Sequence, residues 1–446
     1  MYTSGNDLEH LAARLGHYPE HRSENKGAEP EGVTVATFGG KTYIFVLLER
    51  AGLCAVYEII GGDVTAPVYK QALPTGVGPE GVVAVPERNL LVVASEVDDR
   101  GDKMRASVAT YALEAAAAQY PTLESVDDSI GVPIPWAALS GLANGGGTTL
   151  YSVEDSAYDK SRIFTIDVAT YKPALLTAAL RIKDTNGVFA AIAVEGDGDD
   201  NDVFSAADLA AMINGDGTVN IDPEGITVDG ASFIVASEGR GTVGDAGRPV
   251  ESLNFLFKVA KATGVIEEVI TLPPALNAIQ LRFGFEGVTI CDDGNYYVAF
   301  QRAWGGEANP RIGKYDPGTE TWTFVFFPLD APESPNGGWV GLSDITFVGD
   351  GKFLVLERDN QFGPDARIKR IYEFSTSAWA EFPTTTVTKT LVKDLVPYLE
   401  APGGLLYEKI EGMALMDDGD VYVCNDNDGV DDNSGETQLL NVGEIL

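Results

Sequence analysis

The chain has 446 residues, 44% of them hydrophobic, with 50 glycines and 23 prolines spread along it: enough for an apolar core and for many short strands joined by turns. With 31 basic against 67 acidic residues it carries a formal charge of −36, which repels nucleic acid, anionic membranes and, unless a divalent cation intervenes, phosphate esters. Three cysteines (Cys54, Cys291, Cys424) and three histidines (His10, His17, His21) are too few for a disulfide framework and disfavour imidazole metal sites or a Ser-His-Asp triad.

The opening MYTSGNDLEH has no apolar leader core, and no later run has the length of a membrane span. We therefore expect no direct membrane insertion, and a leader that is absent from this chain or already removed. The segment HLAARLGHY is expected to supply an outer strand that closes a ring of sheets.

From Glu31 onward one phrase returns seven times. It reads EGVTV at Glu31, EGVVAV at Glu80, SGLAN at Ser140, EGITV at Glu224, EGVTI at Glu286, SDITF at Ser343 and EGMAL at Glu411. Fourteen to eighteen residues later a β-rich run ends in polar groups: Glu49 and Arg50, Glu96, Glu154 and Asp155, Glu238 and Arg240, Gln301 and Arg302, Glu357 and Arg358, Asn425 and Asp426. That spacing fits a strand, a tight turn such as VGDGK or DDGD, and an antiparallel return. A further strand follows in runs such as RIFTIDVA and RIKRIYEF. Three to four strands per repeat are the pattern of propeller blades. The expectation is an all-β fold: a single seven-bladed β-propeller over 1–446, with blades opening near 31, 80, 140, 224, 286, 343 and 411. A β-sandwich would give no reason for a polar corner repeated seven times.

Residues 194–223 form a small acidic insertion with a helical run, SAADLAAMI. Within it Asp197, Asp199, Asn201, Ser205 and Asp208 fall at positions 1, 3, 5, 9 and 12 of an EF-hand-type loop. Asp202 stands where that loop needs glycine, so the match is imperfect.

In a propeller, the corner that opens the first strand and the group that closes the second emerge at one mouth of the channel. Glu31, Glu80, Glu224, Glu286, Glu411 and Asp344 would converge there and repel one another unless neutralised. Two neutralisers suggest themselves: the arginines Arg50, Arg240, Arg302 and Arg358, and a hard cation, for which all-oxygen ligands are the right chemistry. The alternative is a structural latch, each corner carboxylate accepting backbone N–H groups of a neighbouring blade.

The phrases from PWAALSGLA through SVEDSAYDKSRIFTID, DPEGITV, GFEGVTI, VAFQRAWGG and LVLERDNQFGPDARIKRIYEF to CNDNDGVDDNSGETQLL resemble the family called "esterase-like activity of phytase", over about residues 130–446. The earlier blades, RSENKGAEPEGVTV to VVASEVDD, look like choice-of-anchor propeller domains of bacterial secreted proteins. The resemblance implies an extracytoplasmic protein, secreted or periplasmic, that hydrolyses a small phosphorylated or ester substrate with help from calcium. On that reading Ca2+ would sit on the mouth carboxylates and on Asp197, Asp199, Asn201 and Asp208. The four arginines would clamp phosphate, with Lys369 or Arg367 assisting, and Glu238 or Glu357 would be the general base. Two other readings stay open: a calcium-dependent esterase or lactonase, which has no use for four arginines, and a non-catalytic calcium-binding module, favoured by the lack of a recognisable nucleophile. The oligomeric state is not legible.

Overall fold

A computed structural model describes residues 2–99, 105–194, 202–375, 385–401, 403–430 and 435–445. The fold is all-β: short, mostly antiparallel sheets of propeller-like form, with a few short helices such as Asp7–Arg14 and Ala206–Ala211. The chain divides into two compact units. One comprises Met1–Ala138, Asp167–Ala178 and Asp426–Leu439; the other comprises Leu139–Ile166, Ala179–Asn425 and Leu440–Leu446. The corners at Glu31 and Glu80 lie in the first unit and the other five in the second.

The first unit holds a four-stranded sheet (Pro30–Phe38, Lys41–Leu48, Leu53–Ile59, Val68–Pro74) and a three-stranded one (Pro79–Val85, Leu90–Ser95, Ser107–Ala112). Phe38, Phe45, Leu47, Val56, Leu91 and Val93 fill the space between them. HLAARLGHY contributes the helix Asp7–Arg14 rather than an outer strand; its Leu8, Leu11 and Ala12 pack on the four-stranded sheet. The i, i+3, i+4 spacing of those apolar residues is helical, and it prevails over the expected closure.

In the second unit each repeat begins with an opening strand: Leu139–Gly146, Pro223–Asp229, Phe285–Ile290, Val340–Gly349 and Ile410–Leu415. Each opening strand lies beside the next, and the fifth lies beside the first, so the five run in a closed cycle. Neighbouring sheets share a core. Ile226, Phe233 and Val235 pack toward the first sheet, while Ile234 and Ala236 of the same strand pack toward the third. A strand buried on both faces needs a continuous apolar run, which is what SFIVAS, YYVAF and KFLVL supply. Truncating a fully buried ring such as Phe353, shared by the third and fourth sheets, would cost about 3–5 kcal/mol.

Where the strands converge, their backbones nearly touch. A Cβ on Gly225 would stand 2.5 Å from the carbonyl oxygen of Glu286, and one on Gly412 would stand 2.5 Å from that of Ser140. Only glycine fits such an approach, which explains the Gly that follows the corner Glu or Ser. The exception is Asp344, which occupies the glycine position of its repeat. Each corner also interrupts the strand register. Pro223 pairs with Ser237 but Gly225 with Ala236; Ile410 pairs with Asn425 but Gly412 with Cys424. Glu224 and Glu411 are the extra residues of these β-bulges, a device that re-aims a side chain.

Candidate active site

The bulges and the loops that follow the second strands of the second unit border a cavity of about 500 Å³. One wall is acidic. Asp155 follows the strand Thr149–Glu154, Asp222 and Glu224 begin the next opening strand, and Glu238 follows Ser232–Ser237. Carboxylate oxygens of Asp155, Asp222 and Glu224 lie within 4.8 Å of one another, close enough to share one cation. Arg240, Arg248, Arg282, Arg358 and Lys409 also line the cavity, together with Phe283 and Trp339.

The acidic wall is crowded enough to hold protons. Asp222 is pushed well above the usual range by burial and by Asp155, to which it is hydrogen-bonded. Burial acts on Asp155 too, but the hydrogen bond with Asp222 and the charge of Lys409, 3.6 Å away, hold it down to about 2. Burial, then Asp155 and Glu286, push Glu224 well up, although Ser140 Oγ donates to its Oε2 at 2.7 Å. Glu238 is pushed up to about 8 by burial and Asp155, against an N–H from Gly284 at 2.7 Å. One oxygen of Asp222, Oδ1, is buried with no hydrogen-bond partner among the described residues. An all-oxygen set with an unused lone pair is suited to a hard cation.

The arginines are packed against aromatic faces. Arg282 lies 4.4 Å from the centre of the Phe283 ring, and Arg302 lies 5.1 Å from Phe283 and 4.9 Å from Trp339. Arg358 lies 5.3 Å from Trp339. Burial lowers the affinity of Arg282 for its proton, as does the like charge of Arg248; burial and Arg282 do the same to Arg302. Guanidinium groups gathered in this way in a chain of −36 are suited to an anion.

The expected residues divide between this cavity and other places. Glu224, Glu411, Glu238, Arg240 and Arg358 line it, and Arg302 stacks behind it. Glu286 lies fully buried, accepting from Gln301 Nε2 at 2.6 Å. Asp344 is not a mouth ligand. In its glycine position its oxygens face the neighbouring backbone and accept the N–H groups of Ile345 and Met413, each at 2.7 Å, and that of Leu142. The latch reading holds for this residue.

Glu357 is likewise not at the mouth. It lies inside the strand Lys352–Asp359, where successive side chains alternate, so Arg358 faces the cavity and Glu357 turns away to Lys389 Nζ at 2.6 Å. Lys369 is buried against Asp359, and burial pushes its ammonium down to about 8. Arg367 donates to the carbonyls of Pro364 and Ala366.

Arg50, Glu31 and Glu80 belong to the first unit and line no part of the cavity. Arg50 pairs with Glu49 at 2.8 Å; Glu31 groups with Glu29 and Glu49, and Glu80 with Glu49 and Glu96. Asp208 is no loop ligand either: it accepts from the backbone N and hydroxyl of Ser205 in a capping box that starts the helix Ala206–Ala211. Asp197, Asp199 and Asn201 lie outside the described residues.

Sequence reasoning missed Asp222, Arg248, Arg282, Phe283, Trp339 and Lys409. A usable signal was present two residues before the corners, where DPEG and KIEG place Asp222 and Lys409.

The family described as "esterase-like activity of phytase" matches residues 134–429, and the choice-of-anchor I domain matches residues 1–61. No curated protein matches the chain. Among solved structures, the GH43 endo-arabinanase of Bacillus licheniformis is 13% identical with a TM-score of 0.37, over 69% of this chain and 96% of the other. A periplasmic gluconolactonase of Pseudomonas aeruginosa is 13% identical with a TM-score of 0.33, over 88% and 92%. An exo-β-1,3-galactanase of Phanerochaete chrysosporium is 9% identical with a TM-score of 0.38, over 72% and 65%. Likenesses of this size carry no statement about substrate.

Proposed function

The chain belongs to the esterase-like activity of phytase family, and from that premise we propose that its second unit is a five-bladed propeller acting as a calcium-dependent phosphoester hydrolase outside the cytoplasm. The observation that carries the reading is the presence in one cavity of the clustered carboxylates Asp155, Asp222 and Glu224 and of Arg240, Arg248 and Arg282. The three carboxylates would hold a calcium ion, which supplies a Lewis acid and a more acidic bound water. The arginines would bind the non-bridging phosphate oxygens through paired N–H groups, and the stacking of Arg282 on Phe283 keeps its guanidinium plane in place. Glu238, whose carboxyl is pushed up by burial and by Asp155, would donate a proton to the leaving alkoxide. This reverses the general-base role expected for it: a carboxyl held neutral at pH 7 is an acid.

Extracytoplasmic action is supported by the choice-of-anchor match over residues 1–61. No helix of the described residues is long and apolar enough to cross a membrane. The experiment is hydrolysis of a chromogenic phosphomonoester in calcium and in EDTA, beside a carboxylic ester and a lactone at equal protein concentration. Phosphomonoester turnover that stops in chelator supports the reading, and turnover that persists rejects it. The family description favours a carboxylic ester as the second substrate class; preference for that ester would leave the acidic wall its role and remove the role of the arginines. No turnover of any of the three would leave a calcium-binding module.

A further inference from the structure

The cavity contains a buried polar pair that the proposed reaction at Asp155, Asp222 and Glu224 does not use. Arg358 is 2% exposed and Glu411 4%, and both line the cavity. One arm of the guanidinium, Nη2, donates to Glu411 Oε1 at 2.5 Å, and Nε donates to Ser343 Oγ at 3.1 Å. The other arm, Nη1, and the other oxygen, Glu411 Oε2, are buried with no hydrogen-bond partner among the described residues. Glu408 Oε1 stands 3.7 Å from Nη1, too far for a hydrogen bond. Buried polar atoms are rarely left unsatisfied, and those of charged groups are the most costly to leave so. No group of the described residues completes them, and a molecule entering the cavity that both line can do so.

That partner must accept from an N–H and donate to a carboxylate. A phosphate oxygen suits Nη1 and is repelled by Oε2, while a metal ion suits Oε2 and is repelled by Nη1. A neutral hydroxyl satisfies both through one oxygen, accepting with a lone pair and donating its proton.

We propose that Arg358 and Glu411 form a hydroxyl-binding subsite, so that the substrate of this cavity is an ester carrying a free hydroxyl on its alcohol part. The inference rests on the reading of the cavity as a substrate pocket. A water molecule offers the same O–H chemistry, and the experiment separates the two sources.

Glycerol 2-phosphate and isopropyl phosphate share a carbon skeleton and a phosphate and differ in two hydroxyls. Their binding to the full chain in calcium is compared by calorimetry for the wild type, Glu411→Asp and Arg358→Lys. Both variants keep the charge and withdraw the unused atom. The wild type is expected to bind glycerol 2-phosphate at least about tenfold more tightly, because a site built to bond a hydroxyl rejects the analogue lacking it. Each variant is expected to bring the ratio within about twofold. Equal binding of the two probes by the wild type, or binding of neither, overturns the subsite; equality also assigns the O–H to a water. A ratio retained in both variants overturns it as well. The wild-type ratio decides the matter even where a variant fails to fold. A chain that binds with the expected ratio but hydrolyses neither probe would end the hydrolase reading and leave the subsite standing.

Discussion

The carboxylate of Asp344 accepts the main-chain N–H of Met413 at 2.7 Å, tying the fourth opening strand of the second unit to the fifth. Its other oxygen accepts from Ile345, and the N–H of Leu142 on the first opening strand also donates to it. Asp344→Asn would turn an amide N–H toward one or more of these backbone N–H groups in place of an accepting oxygen. The expected loss of stability is about 2–3 kcal/mol, seen as a lower melting temperature with hydrolysis by the folded fraction retained. An unchanged melting curve would reject the latch.

The arginines of the cavity make a prediction that separates the two units. Arg248 and Arg282 face the cavity and repel one another, so removing either weakens the anion clamp. Arg282→Ala or Arg248→Ala should raise KM for a phosphomonoester by about 10–100-fold, through one lost charge-assisted contact. The salt dependence of kcat/KM should shrink in parallel. Arg50→Ala should leave both quantities unchanged, since Arg50 lies in the first unit, paired with Glu49. Steady-state kinetics across a range of ionic strength would decide; a kinetic effect at Arg50 equal to that at Arg282 would sink this assignment.

How far the site was legible in the sequence follows from what period and repetition can encode. The seven corners and their return strands were readable because each repeat solves one packing problem with the same apolar runs. Whether the first blades share a ring with the rest stayed open, because the corner at Glu31 reads like the corner at Glu224. The side-chain directions were readable only in part. A fixed count from the corner leads to the cavity at Glu238, which lies just past the end of its strand. The same count leads away from it at Glu357, because the strand Lys352–Asp359 continues through that residue and alternation turns it toward Lys389. The bulges at Glu224 and Glu411 add one residue to one strand only, and nothing in the composition of EG announces that. Asp344 looked like one more corner acid because it follows Ser343, although SDITF beside EGITV puts it in the place of a glycine; that its oxygens turn to backbone N–H groups is seen only in the structure.

Cation binding can be tested without any substrate. If Asp155, Asp222 and Glu224 hold calcium in the folded state alone, the melting temperature should rise with calcium concentration as mass action requires, about 2.7 kcal/mol at a hundredfold excess over Kd. Asp222→Asn keeps the shape and removes the carboxylate, so the calcium-dependent rise should fall to a small fraction while the melting temperature in EDTA changes little. Thermal melts of both proteins over a calcium series would show this. A rise of equal size in the variant would place the ion elsewhere.

The pH dependence carries the most information, because its sign differs for stability and for rate. Asp222, Glu224, Glu238 and Glu286 all have their pKa raised, chiefly by burial, so the folded chain holds protons that the unfolded chain releases near the ordinary carboxylate range. A raised carboxyl contributes stability that is complete below its unfolded pKa and is lost as pH rises through its folded value. In EDTA the melting temperature should therefore fall as pH rises from about 4.5 through 8. In calcium the fall should be smaller, since the ion favours the ionised forms of Asp222 and Glu224. Hydrolysis should decline on the alkaline side as Glu238 loses its proton at about 8, because an ionised carboxylate cannot protonate the leaving group. Glu238→Gln should lower kcat by about 10²–10⁴-fold for a poor leaving group and much less for a nitrophenolate, which leaves without help. The variant should also lose the alkaline limb of the profile. If that limb remains in Glu238→Gln, the acid is another residue of the same wall.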